Sequence, residues 1–150
     1  MAARGHRIGK ASPARLGLLI LPLGVALLGC GGGPQLTNLR CRVTPCQHPE
    51  KPFTLRLAVD FSDGTGSLSK GGLELRVNGA TQSAVSLAEI FSAQLLDPTA
   101  AAGTLNFDQD VVLDRVGQSQ SFTTSVIAHD GQGQKSNEPQ LGFKLTLGGL

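Results

Sequence analysis

Tryptophan and tyrosine are absent from this 150-residue chain, and its six aromatic residues are all phenylalanine. Glycan sites usually recruit stacking Trp or Tyr, so the chain lacks the commonest means of holding a sugar. Charge is also sparse, at 16% of residues. No acid precedes Glu50, whereas Arg4, Arg7, Lys10 and Arg15 all fall in the first fifteen positions. Beyond residue 29, nine basic residues stand against eleven acidic ones, a net charge of −2. So thin and mixed a charge leaves no footprint for a phosphate backbone, which argues against nucleic acid as a partner.

Catalytic motifs are missing too. No Gly-x-Ser-x-Gly elbow occurs. Ser67-Leu68-Ser69-Lys70 matches Ser-x-x-Lys, but that chemistry needs the serine at a helix start within a larger domain and with further motifs. Here it lies between Gly66 and Gly71, in a loop. His48 sits between Gln47 and Pro49, and His129 falls on the outward face at a strand end; both read as solvated histidines. Asp60, Asp63, Asp130 and the pair Asp108 and Asp110 cluster near turns. None belongs to a calcium-loop motif, and Asp63-Gly64 and Asp130-Gly131 read as turn formers. The expectation is no catalytic residue, no metal and no cofactor.

What is present begins with a leader. Residues 1–15 are a positive stretch. Residues 16–28, Leu-Gly-Leu-Leu-Ile-Leu-Pro-Leu-Gly-Val-Ala-Leu-Leu, are an uncharged apolar run. As a helix this run spans ~20 Å, short of the ~30 Å hydrocarbon core of a bilayer. Its length, with Pro22 and Gly24 in the middle, suits a signal peptide better than a membrane span. Leu27-Leu28-Gly29-Cys30 resembles the lipobox of bacterial lipoproteins. That resemblance implies a diacylglyceryl group on the thiol of Cys30, cleavage before it, and acylation of the new amino terminus. Two or three acyl chains make a durable anchor where one is marginal. Gly31 is not Asp; in Gram-negative lipoproteins Asp after the lipidated cysteine usually means inner-membrane retention, so the resemblance favours the outer membrane there. Residues 1–29 are therefore expected to be a lipoprotein signal peptide, 30–38 a lipidated cysteine and Gly-rich tether, and 39–150 the folded domain.

With Cys30 assigned to lipid, Cys41 and Cys46 remain. An even pair in an exported protein suggests a disulfide. Fully extended, their Cα atoms would stand ~17 Å apart, whereas a bridge needs about 4.4–6.8 Å, so the chain must turn between them. Thr44-Pro45 offers the turn. Two free thiols are the rival reading. The Cys-x4-Cys spacing is not the Cys-x-x-Cys of a redox site, and zinc would need two further ligands, of which His48 is near but no fourth suggests itself.

The domain reads as strands. Phe53, Leu55, Leu57, Val59 and Phe61 alternate with Thr54, Arg56, Ala58 and Asp60, the period-two pattern of a half-buried strand. Leu73-Glu74-Leu75-Arg76-Val77 repeats it, and Asn78-Gly79 predicts a type I′ hairpin with a partner strand to about Leu87. Further strands are expected over 104–113, with Gln109 at an inward position, and through Phe122, Thr124, Val126 and Ala128. Another runs through Leu141, Phe143, Leu145 and Leu147, and an early one lies around Leu39-Cys41-Val43 with Arg40 and Arg42 outward. The predicted core is Leu55, Leu57, Val59, Leu75, Val77, Phe107, Phe122, Val126, Phe143 and Leu145; Thr54, Arg56, Lys144 and Thr146 should be exposed. Ser86-Leu87-Ala88-Glu89 fits a capping box, with Leu87, Ile90, Phe91 and Leu95 at helical spacing. A short helix near 87–96 ending at Asp97-Pro98 is expected there, with an irregular crossover as its rival.

About seven strands with polar turns indicate an all-β, antiparallel sandwich. Residues 128–139, Ala-His-Asp-Gly-Gln-Gly-Gln-Lys-Ser-Asn-Glu-Pro, resemble the last hairpin of bacterial immunoglobulin-like and fibronectin-like modules. The resemblance implies that fold and carries no ligand with it. The resulting expectation is a lipid-anchored cell-envelope lipoprotein. Its sandwich would be a non-enzymatic interaction or structural module, attached to the membrane through Cys30 and facing an envelope protein partner. The alternative is a small module binding calcium or a glycan through the loops at one end of the sandwich.

Overall fold

The computed structural model describes residues 32–51, 53–112 and 120–145. The stretch expected to be a signal peptide (1–29), Cys30, Leu113, Thr146 and Leu147 lie outside the described residues, as does the side chain of Leu145.

Seven strands form: β1 (Gln35–Cys41), β2 (Thr54–Ser62), β3 (Gly72–Val77), β4 (Ala80–Ser86), β5 (Ala102–Asp110), β6 (Gln120–His129) and β7 (Gln140–Leu145). A single 3-10 turn, Leu68–Lys70, and one short helix, α1 (Leu87–Ala93), complete the described elements. The strands make two sheets, ordered β1-β2-β5 and β4-β3-β6-β7, and every neighbouring pair is antiparallel. Three strands thus face four in an all-β, antiparallel sandwich. The core lies between the sheets, where Leu36, Leu57, Val59, Leu73, Leu75, Leu105 and Val126 are buried in one cluster.

The alternating phase holds. Leu55, Leu57, Val59, Leu75, Val77, Phe107, Phe122 and Val126 are all buried, and Lys144 is exposed. Phe143 departs from expectation and is only half-buried, because β7 is an edge strand; its ring stacks on Phe122 at 5.7 Å between centroids. Thr54 was expected to face water and is buried, and Arg56 is half-buried. Their shared cause is the segment after β1. The Arg42 N–H donates to the Arg56 carbonyl, then the chain loops out and returns, so that the Arg56 N–H donates to Cys46 and His48 donates to Thr54. Arg56 NH2 reaches the carbonyls of Pro45 and Gln47 at 2.7 and 3.2 Å. The excursion thus folds over the outer face at the start of β2.

A disulfide joins Cys41 to Cys46 across the mouth of this excursion, with Cα atoms 5.1 Å apart. The turn it closes contains a cis Thr44–Pro45 bond. β1 itself opens at Gln35, inside the stretch expected to be tether, and Val43 is exposed in the loop instead of continuing the strand. Between Thr37 and Arg40 the register with β2 shifts, and Asn38 takes a left-handed conformation (φ 54). That bulge puts Leu36 and Leu39, three apart, on the same buried face.

The hairpin between β3 and β4 turns through Asn78 and Gly79, both at positive φ (49 and 80), as a type I′ turn requires. α1 is shorter than expected. Ser86 makes no side-chain cap, and the Leu87 N–H donates instead to the Gly71 carbonyl. Leu87, Ile90 and Phe91 are buried, but Leu95 lies beyond the helix at φ 53 and is 94% exposed.

Candidate functional site

The strand directions sort the loops into two ends. At one end lie the start of β1, the β2–β3 connection with its 3-10 turn, α1 with residues 94–101, and the β6–β7 connection. At the other lie the disulfide loop with residues 47–53, the Asn78-Gly79 hairpin, and Val111 and Val112 after β5. The N-terminal segment enters at the first end. Gly33 packs there against Lys135 so tightly that a Cβ on it would stand 2.6 Å from that residue's carbonyl oxygen.

Two buried aspartates build the loops of the end where the N-terminal segment enters. Asp63 accepts four hydrogen bonds: from the Thr65 N–H and hydroxyl through Oδ1, and from the Ser67 and Leu68 N–H groups through Oδ2. Burial alone would raise its pKa, but these donors together hold it below the usual carboxylate value. Asp130 accepts from the Gln132 and Gln134 N–H groups and meets the Ser67 hydroxyl at 3.4 Å. Both therefore act as turn formers, with their oxygens turned to backbone donors. The other acids are held apart from them. Asp60 bonds Thr104, Asn38 and Arg40, Asp108 pairs with Arg42, and Asp110 accepts from the Thr54 hydroxyl. Among the described residues no three His, Cys, Asp or Glu side chains are placed to share a metal.

The residues with catalytic potential are separated as well. The Ser67 hydroxyl touches Thr65 and Asp130. His129 Nε2 meets Glu74 at 3.4 Å, and His48 Nδ1 accepts from the Glu50 N–H. Serine and imidazole thus have different partners. Glu74 is the hub of a polar network on the outer face of the four-stranded sheet. It accepts from the Thr81 hydroxyl and from Arg76 Nε at 2.9 Å. Arg76 also reaches Glu138, which takes the Ser125 hydroxyl at 2.6 Å. The Thr81 and Arg76 bonds depress the Glu74 pKa to about 2.

At the opposite end the surface changes character. Four large hydrophobic residues are exposed among the described residues, and three of them, Val43 (39%), Phe53 (39%) and Val112 (69%), lie there. The Val111 N–H donates to the Phe53 carbonyl, which brings the start of β2 beside the end of β5. Next to the disulfide is a shallow hollow of about 190 Å³ lined by Pro45, Cys46, Leu55 and Phe143, with Gln47 and Lys144. This end presents Val43 on the loop that the disulfide closes, and Phe53 and Val112 on neighbouring segments. Sequence periodicity had turned Phe53 and Val43 inward, and it carries no signal that would bring either of them to one tip with Val112. No protein-family model, curated protein or solved structure matches the chain.

Proposed function

We propose that this chain is a lipid-anchored lipoprotein of the bacterial cell envelope, and that its sandwich is a non-enzymatic module which presents its disulfide-loop end to a protein partner. The observation that carries the reading is the opposition of the two ends. The N-terminal segment, with the lipobox-like Leu27–Cys30 just ahead of it, enters at one end, and three of the four exposed large hydrophobics stand at the other. A domain tethered by its N-terminus holds the far end away from the membrane. Apolar side chains kept in water there, beside a closed loop, have the makings of an interface core. The disulfide suits an exported protein, since such bonds persist outside the cytosol.

The test is the anchor. Expressed as the full chain in a bacterial host fed labelled palmitate, the protein should take up label and fractionate with membranes. Cys30→Ser should abolish the label and leave an uncleaved or mislocalised precursor. Undiminished labelling of Cys30→Ser would overturn the reading.

A further inference from the structure

The tether is much shorter than the sequence alone suggests. Both backbone groups of Leu36 are held by one side chain: its N–H donates to Asn137 Oδ1 and its carbonyl accepts from Asn137 Nδ2, each at 2.7 Å. Gly33 is already packed on Lys135. From Cys30 to Gly33 the chain can span at most ~11 Å in any conformation. A lipidated Cys30 seated among headgroups therefore keeps Gly33, and the β6–β7 loop packed on it, within about that distance of the bilayer. A nine-residue strand is ~30 Å long, so the disulfide end stands well clear.

The surface brought to the membrane has a composition suited to it. Between the 3-10 turn and α1 lies a groove of about 450 Å³, floored by Ala88, Phe91, Leu96 and Pro98 and rimmed by Ser69, Lys70 and Ser92. Beside it Leu95, 94% exposed, is held outward by its left-handed backbone. Lys70 neighbours the β6–β7 loop, since a Cβ on Gly131 would meet its Cβ at 2.7 Å, and Lys135 of that loop packs against Gly33. Neither lysine forms an ion pair among the described residues. Of the acids at this end, Asp63 and Asp130 are buried under backbone donors and Glu138 pairs with Arg76; Asp97, which accepts from the Thr99 N–H and hydroxyl, and Glu89 on α1 are exposed.

We infer that the tether end is a bilayer-contact surface: Leu95 and the groove beside α1 enter the boundary between headgroups and acyl chains, while Lys70 and Lys135 lie over the phosphates of anionic phospholipid. This inference rests on the lipoprotein reading of Cys30. It adds that the anchored domain does not swing freely but sits with a fixed end on the lipid.

The full-length lipoprotein, purified from membranes and reconstituted in vesicles of phosphatidylethanolamine and phosphatidylglycerol, would carry a single added cysteine. Leu95→Cys reports on the tether end, and Val112→Cys, the less exposed of the two positions at 69% and at the far end, is the control. A membrane-impermeant maleimide should label the cysteine at 95 at least about fivefold more slowly than the one at 112. Detergent should abolish the difference, and adding Lys70→Glu with Lys135→Glu should shrink it. Equal labelling at both positions in an acylated protein would overturn this inference and leave the anchor standing. Protection that survives detergent would overturn it as well, since a protein contact would then be the cover. Absence of the acyl group from Cys30 would remove the anchor, and this inference with it.

Discussion

Glu74 shows how a single charge is committed by its surroundings. Its carboxylate is fixed by the Thr81 hydroxyl, by the Arg76 guanidinium and by His129, and its pKa falls from 4.5 to about 2. A carboxylate with a depressed folded-state pKa contributes stability at pH values above its unfolded one. That contribution is lost as the pH falls from about 4.5 towards 2. Glu74→Gln should accordingly be less stable than the parent near neutrality, and the gap should narrow through this window. Urea midpoints measured from pH 7 to pH 2 decide it; parallel curves would show that Glu74 does not drive the acid limb. Gln109 makes a related point about legibility. The sequence places an amide at an inward position of β5, and the structure buries it completely. Its Nε2 donates to the Arg76 carbonyl at 3.1 Å, and its Oε1 meets the Thr124 hydroxyl. The amide thus bridges the two sheets inside the core, at a point where the β3–β4 register shifts. A buried amide survives only with partners, and the partners, on β3 and β6, are set by tertiary structure that alternation does not reveal.

At the scale of elements, the question is what closes the edges of the sheets. Both edges of the three-stranded sheet meet an amide side chain that imitates a neighbouring strand. On β1, Asn137 takes both backbone groups of Leu36. On β5, Gln94 donates to the Asn106 carbonyl at 2.8 Å and accepts from its N–H at 3.0 Å and from its side chain at 2.8 Å. The four-stranded sheet uses other means: a register shift in the β3–β4 ladder, and Gly142 with exposed Lys144 on β7. Open edges invite pairing with other chains, and these devices oppose such pairing. Gln94→Ala should therefore cost about 1–2 kcal/mol and should also make the protein associate more readily with itself. Thermal unfolding with light scattering at rising concentration tests both; an unchanged melting point with unchanged scattering would dismiss the role given to Gln94. Little of this could be read beforehand. The strands with strict alternation, β2, β3 and β6, were legible because one face of each is buried and period two leaves no other solution. β1 was placed late because its bulge sets Leu36 and Leu39 three apart, which breaks the period. The helix was legible in its buried residues Leu87, Ile90 and Phe91. Its end was not, because the left-handed turn at Leu95 is dictated by the return of the chain to β5 rather than by any stop signal before Asp97-Pro98.

The described residues form a sandwich with two unlike ends, joined through the strands. One end is built on Asp63 and Asp130 and their backbone donors; the other is closed by the Cys41–Cys46 bridge. Such an arrangement allows one end to loosen while the other holds, because protection in a folded domain is local wherever contacts are few. The bridge closes a loop with a sequence separation of only five residues, so the chain-entropy model assigns it about 2 kcal/mol. That is well below the ~5–15 kcal/mol that a domain of this kind usually holds. Replacing both cysteines, Cys41→Ala with Cys46→Ala, should thus leave a folded sandwich. Amide exchange should quicken over residues 42–48, where Arg42, Cys46 and His48 complete the ladder with β2, and at Thr54 and Arg56 opposite them. Leu68 and Leu87–Phe91, at the end where the N-terminal segment enters, should keep their protection apart from a uniform shift set by the lost global stability. Exchange mapped by mass spectrometry on the parent and the double variant gives the answer. If the N-terminal end loosens as much as the disulfide end, the two are one cooperative unit, and a change at one would be felt at the other.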